Sequence, residues 1–281
     1  MLFLPGLFLL AQAPAPAARL EQDVLYRTVD AVELRLDALL PPGDGPHPAL
    51  LLVHGGAWMH GNKRDMRAFA ELFVQQGYAC FSVQYRLAPA HRWPGQIEDC
   101  LAAVQFVRSE AQRFHVDPTR LGALGLSAGG HLVALLGVLD ERADPASPDS
   151  VRRQSSRVQC VVDYFGPVLL ARTKEHDFDT QPPPELFGDA PDSEYAAASP
   201  LNFVTRDDTP FLLVHGDADD TVPVGHSHLM DEKLREAGVA CELVVIPGGG
   251  HGDFFRKDPR GEYWKRTEAF LAARLKPATA R

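Results

Sequence analysis

Six short, largely apolar runs recur along the chain, at residues 49–53, 79–83, 121–126, 158–164, 211–214 and 243–246. A run of that length without alternation has no solvent side, which is the pattern of a strand buried on both faces. Helix-period stretches lie between the runs. Ile97, Leu101, Val104 and Val107 share one face of a helix, and so do Leu132, Leu135, Leu136 and Leu139. Phe270, Leu271 and Leu275 make a third such group near the C-terminus. Strand and helix in regular alternation predict an α/β fold, a mostly parallel central sheet flanked by helices on both faces. Upstream, residues 24–29 and 32–39 alternate polar and apolar side chains and predict a hairpin that opens the sheet. No repeat or shift of composition marks a second domain, so residues 23–281 read as one domain. Two segments break the rhythm. Residues 140–157 are polar and read as a surface loop. Residues 166–210, with Pro182-Pro183-Pro184 inside, read as a short cap-like insertion, because so long a connection usually carries function or helices of its own.

The N-terminus is a separate matter. Leu2-Phe3-Leu4 and Leu7-Phe8-Leu9-Leu10 precede Ala11-Gln12-Ala13, an A-x-A cleavage pattern, so residues 1–13 read as a signal peptide. Its n-region lacks Lys and Arg, and the run is shorter than the roughly 20 residues of a membrane span. Residues 14–22 then read as a flexible stretch, and the mature protein as exported, periplasmic or secreted, with a cytoplasmic location as the alternative. Lys and Arg number 28 against 37 Asp and Glu, a net charge of −9, which disfavours nucleic acid as a partner. Cys80, Cys100, Cys160 and Cys241 form no CxxC pair, which argues against zinc or redox chemistry and leaves their oxidation state open.

Gly125-Leu126-Ser127-Ala128-Gly129 falls between a strand-like run and a helical pattern. G-x-S-x-G alone is a weak signal, since a capped strand-to-helix turn can look the same. At this junction, however, small flanking residues allow a sharp turn that exposes the serine oxygen at a helix N-terminus. His54-Gly55-Gly56-Ala57-Trp58 follows the first buried run. Its bare backbone N–H groups at Gly56 and Ala57, joined by that of Ala128, suit an oxyanion hole, with Trp58 as a substrate-pocket wall. Among 11 histidines, His251 stands in the glycine loop Pro247-Gly248-Gly249-Gly250-His251-Gly252, which can carry an imidazole to the serine as general base. His54, His131 and His215 read as structural. His60, His91, His115, His226 and His228 lie in polar surroundings and read as solvent-facing or locally bonded, with no metal site among them. The orienting carboxylate lies in His215-Gly216-Asp217-Ala218-Asp219-Asp220, and spacing does not choose among the three aspartates.

Together with Tyr85-Arg86-Leu87-Ala88-Pro89, these segments run in the order seen in the α/β-hydrolase esterases and lipases, which the chain resembles over residues 49–252. In that family the strand-seven segment reads H-G-x-x-D-x-x-V-P, and the resemblance assigns the orienting role to Asp219. The HGGxW form is similar to feruloyl-esterase-like and acetyl-xylan-esterase-like members and to kynurenine formamidase. Ala198-Ser199-Pro200-Leu201 likewise resembles the feruloyl-esterase-like group. Ala57 stands where the hormone-sensitive-lipase branch usually has a third glycine, so that branch fits less well. The resemblance implies a serine carboxylic ester hydrolase with an acyl-enzyme intermediate and no cofactor. The expected substrates are acetyl or feruloyl esters of plant polysaccharide, or small esters. The alternatives are an arylformamidase and a hydrolase-fold binding protein without catalysis. Pocket size, acyl preference and oligomeric state are not legible at this level.

Overall fold

A computed structural model describes residues 17–140, 142–173 and 180–276, and the leader expected at 1–13 lies outside them. The strands are β1 (Arg19–Val29), β2 (Val32–Leu40), β3 (His47–Val53), β4 (Ala79–Val83), β5 (Val116–Leu126), β6 (Val161–Tyr164), β7 (Phe211–Gly216) and β8 (Cys241–Ile246). The helices are α1 (Arg67–Val74), α2 (Gly95–Ser109), α3 (Ala111–Phe114), α4 (Ala128–Val138), α5 (Pro184–Phe187), α6 (Asp192–Ala197), α7 (Gly225–Glu236), α8 (Phe254–Lys257) and α9 (Glu262–Leu275). Among the described residues, all eight strands belong to one sheet, ordered β1-β2-β4-β3-β5-β6-β7-β8. β1 and β2 pair antiparallel, as does β2 with β4, and every later pairing is parallel.

Alternate residues of the central strands feed two cores. Leu51 and Val53 of β3 share one core layer with Leu101 of α2, Leu132 of α4 and Met230 of α7. Leu50 and Leu52 face α1 and α9, where Phe73, Trp264 and Leu271 close the other. Leu50, Leu51 and Leu52 are fully buried, which is why β3 reads as unbroken apolar sequence. Burial of this kind contributes roughly 1.5–3 kcal/mol for each large apolar side chain.

Two boundaries differ from the sequence reading. β1 begins at Arg19, inside the stretch 14–22 expected to be flexible, and Arg19 pairs with Leu40. A register shift between Glu21 and Val24, with Asp23 at φ 57°, breaks the alternation that would have revealed it. β5 begins at Val116, because His47 pairs with Val116 across the polar Asp117-Pro118-Thr119. Residues 142–157 are irregular, held by the Gln105 amide on the carbonyls of Arg142 and Gln154. Among the described residues between β6 and β7 lie α5, α6 and a 3-10 turn at Pro200–Phe203. Cys80, Cys100, Cys160 and Cys241 are free thiols. No described helix is long and apolar enough to cross a membrane.

The topology fixes where chemistry can gather. β3, β5, β7 and β8 run parallel, so the segments following Val53, Leu126, Gly216 and Ile246 all emerge along one edge of the sheet. The C-terminal edge of such a sheet is where open α/β folds place their ligands.

Candidate active site

Ser127 ends β5 and begins α4 with φ 55° and ψ −119°, a conformation that L residues adopt only when their surroundings enforce it. Its amide donates to the Tyr164 carbonyl on neighbouring β6, at 2.9 Å. A Cβ on Gly129 would meet the backbone of Val53 and His54, so α4 starts pressed against β3. The serine hydroxyl therefore stands proud of the sheet.

His251 arrives from β8 on its glycine loop, with its side chain about a quarter exposed. Nε2 lies 2.9 Å from Ser127 Oγ, and Nδ1 lies 2.7 Å from Asp219 Oδ2. A carboxylate can only accept, so Nδ1 carries the proton and Nε2 is left as the acceptor for the serine hydroxyl. Of the three aspartates, only Asp219 meets the imidazole. Asp217 instead accepts the Gly248 amide at 2.6 Å, and Asp220 is exposed. Asp219 Oδ1 also accepts the amides of Thr221 and Val222, each at 2.9 Å. Burial pushes the Asp219 carboxyl up, but hydrogen bonds from His215, His251 and the Val222 amide outweigh it and hold the group well below the usual carboxylate range. It stays ionised at neutral pH.

The segment after β3 bends sharply. Gly56, Ala57 and Trp58 have φ of 111°, 51° and 58°, three consecutive left-handed residues of which only one is glycine. The amides of Met59 and His60 both turn back to the Gly56 carbonyl, at 3.0 and 2.9 Å. Ala57, Trp58, Ser127 and Ala128 line one cleft of about 700 Å³. The Ala128 amide is the first of helix α4 and has no acceptor within the helix. Ala57 and Ala128 can thus offer amides beside the serine, while Gly56 supplies the bend. The rest of the cleft is largely apolar, with Pro167, Pro182, Pro183 and Tyr195 from the segment before β7 and Val222 from the Asp219 loop.

Three histidines support this shell from behind. His215 is buried and lies with Nε2 2.8 Å from the Val222 carbonyl and 3.4 Å from Asp219 Oδ2, while Nδ1 meets Ser227 Oγ at 2.8 Å. His131 is fully buried, between Trp58 Nε1 at 3.1 Å and the Ala198 carbonyl at 2.6 Å. His226, expected to face solvent or bond only locally, is also fully buried. It accepts the Val168 amide at 3.2 Å and meets Thr180 Oγ1 at 2.7 Å, and Thr180 lines the cleft. Its helical spacing with the buried Met230 and Leu234 was the available signal, and the polar neighbours Ser227 and His228 masked it.

Comparison with known proteins agrees with this architecture. The BD-FAE family model matches residues 36–234. Esterase LipC of Mycobacterium tuberculosis is 34% identical over 230 residues, which cover 74% of this chain and 53% of LipC. The chain spans about half the length of the first curated relatives it matches. Among solved structures, a truncated carbohydrate esterase from gut microbiota superposes with a TM-score of 0.81 at 28% identity, covering 94% of this chain and 99% of that one. An acetyl ester-xyloside bifunctional hydrolase from Caldicellulosiruptor lactoaceticus gives 0.79 at 28% identity, covering 87% and 89%.

Proposed function

The chain belongs to the BD-FAE family, and from that premise we propose that it is a carboxylic ester hydrolase working through an acyl-serine intermediate. The observation that carries the reading is the unbroken relay Ser127–His251–Asp219, at 2.9 and 2.7 Å. In the first half-reaction His251 Nε2 takes the hydroxyl proton while Ser127 Oγ attacks the ester carbonyl carbon. The carbonyl electrons move onto oxygen, and the amides of Gly56, Ala57 and Ala128 receive the resulting oxyanion. Asp219 holds the imidazole in its Nδ1–H tautomer and balances the charge gained at Nε2. Collapse of the tetrahedral adduct breaks the ester C–O bond, and His251 returns its proton to the departing alcohol. Water then repeats the cycle on the acyl-serine, releasing the acid.

The substrates in this reading are acetyl or feruloyl esters on plant polysaccharide, or small esters of similar acyl groups. The carbohydrate-directed names of two structural relatives support it, as does an open cleft with Trp58 and Tyr195 on its walls. Ester names among the relatives favour esters over formamides, and retention of serine, base and bent glycine segment disfavours a non-catalytic role. Export, with residues 1–13 removed as a signal peptide ahead of a single hydrolase domain, completes the reading. Its support is the apolar run ending in Ala11-Gln12-Ala13. The test is Ser127→Ala assayed on 4-nitrophenyl acetate, acetylated xylan, methyl ferulate and N-formylkynurenine. Loss of all ester turnover in a folded variant is the expected result, and unchanged turnover overturns the reading.

A further inference from the structure

Ala57 and Trp58 are held in left-handed backbone conformations, which L residues keep only where the surrounding structure enforces them. Two bonds do so at Trp58. Its carbonyl accepts the Ala88 amide at 3.0 Å, and its indole N–H meets His131 Nδ1 at 3.1 Å. His131 lies four residues after Ser127 on α4, and its amide donates to the Ser127 carbonyl at 3.0 Å. The same ring reaches in a second direction, with Nε2 2.6 Å from the carbonyl of Ala198, at the end of α6. An indole N–H only donates and a carbonyl only accepts, so the partners force one neutral tautomer, with the proton on Nε2. Ring contacts extend the same line. Trp58 stands edge-on to His131 at 5.1 Å, Trp93 lies 5.8 Å beyond, and Phe187 stacks at 4.1 Å on Tyr195 of the cleft wall.

We propose that His131 is a positioning residue for the ester chemistry, locking the oxyanion segment through Trp58 and the cleft wall through Ala198 into one register with Ser127. It touches no reacting atom, since it lies behind the cleft rather than on its lining. The inference rests on the acyl-serine reading above. An oxyanion amide displaced by even about 1 Å loses on the order of 10²-fold in rate, while ground-state binding changes little.

The experiment measures kcat and KM on 4-nitrophenyl acetate for His131→Phe, His131→Gln, Trp58→Phe and the double variant His131→Phe/Trp58→Phe. Circular dichroism first verifies that each is folded. His131→Phe is expected to lose about 10- to 100-fold in kcat with KM within about threefold. His131→Gln, which can donate to Ala198 and accept from the indole, is expected to recover to within about fivefold of the parent. Trp58→Phe keeps an aromatic ring but no donor and is expected to match the His131→Phe loss. The double variant is expected to fall little below the worse single one, because both remove the same bond. Losses that multiply, or a parent-like kcat in His131→Phe or in Trp58→Phe, overturn the inference. If His131→Phe does not fold, Trp58→Phe and His131→Gln decide it. Ser127→Ala separates the two levels. If it is inactive while His131→Phe and Trp58→Phe are parent-like, only the positioning role fails, whereas an active Ser127→Ala removes the chemistry beneath it.

Discussion

A Cβ placed on Gly125 would fall well inside 3.0 Å of the carbonyl oxygen of Gly129, closer than real side chains approach a backbone. The glycine two residues before Ser127 is therefore required by backbone crossing at the strand-to-helix turn. Gly125→Ala is expected to destabilise the protein by about 2–4 kcal/mol and to abolish most ester turnover, as read by urea denaturation and 4-nitrophenyl acetate hydrolysis. Gly238→Ala is the comparison, with φ 81° but nothing within 4 Å. It is expected to cost only about 1 kcal/mol and to leave turnover unchanged.

Asp219 is the aspartate that reaches His251, so it and its neighbour Asp220 separate in experiment. Asp219→Asn is expected to lower kcat by about 10³- to 10⁴-fold, through the wrong imidazole tautomer. Asp220→Ala is expected to stay within about threefold of the parent, since the side chain is exposed. Steady-state kinetics on the two variants check the assignment, and a reversed order contradicts it.

Two buried groups drive stability in opposite directions with pH. Burial pushes Asp163 up from its ordinary 3.8 to about 6, against the pull of the Gly166 amide and His215. Its favourable contribution is complete below about pH 3.8 and is lost as pH rises through 6. Burial pushes His131 down from 6.5 to about 4, against its bond to Ala198, so its contribution is complete above 6.5 and is lost as pH falls through 4. Each accounts for about 3 kcal/mol at most. Relative to the parent, Asp163→Asn is expected to gain in Tm from pH 4 to 6, while His131→Gln is expected to lose in Tm from pH 4 to 6.5. Thermal melts across that range check both signs.

His226 binds Val168 and Thr180, and Thr180 lines the cleft. His226→Phe keeps the ring's bulk and removes the bonds to Val168 and Thr180. KM for methyl ferulate is expected to rise about three- to tenfold, with kcat on 4-nitrophenyl acetate within about twofold. An unchanged KM would place this wall outside substrate binding.

Much of the architecture was legible because its signals are local. Buried strands such as 49–53 show themselves as unbroken apolar runs, and Ser127 and His251 stand in glycine-rich turns directly after such runs. The parallel sheet then requires those turns to share one edge. Asp219 was not legible from spacing, because its choice over Asp217 and Asp220 depends on side-chain direction within one loop. That choice came from the family pattern. His131, His215 and His226 were less legible as a supporting shell, since each finds its decisive partner across the fold, at Trp58 and Ala198, at Ser227 and Val222, or at Val168 and Thr180. β1 gave a weak signal at Arg19 because a bulge at Asp23 interrupts its alternation.

The most direct measurement is covalent. A fluorophosphonate probe, followed by peptide mass mapping, reports which hydroxyl the relay activates. The expected result is one phosphonyl adduct on the peptide containing Ser127, absent from Ser127→Ala and strongly slowed in Asp219→Asn. An enzyme that hydrolyses 4-nitrophenyl acetate while Ser127 stays unlabelled would contradict the relay.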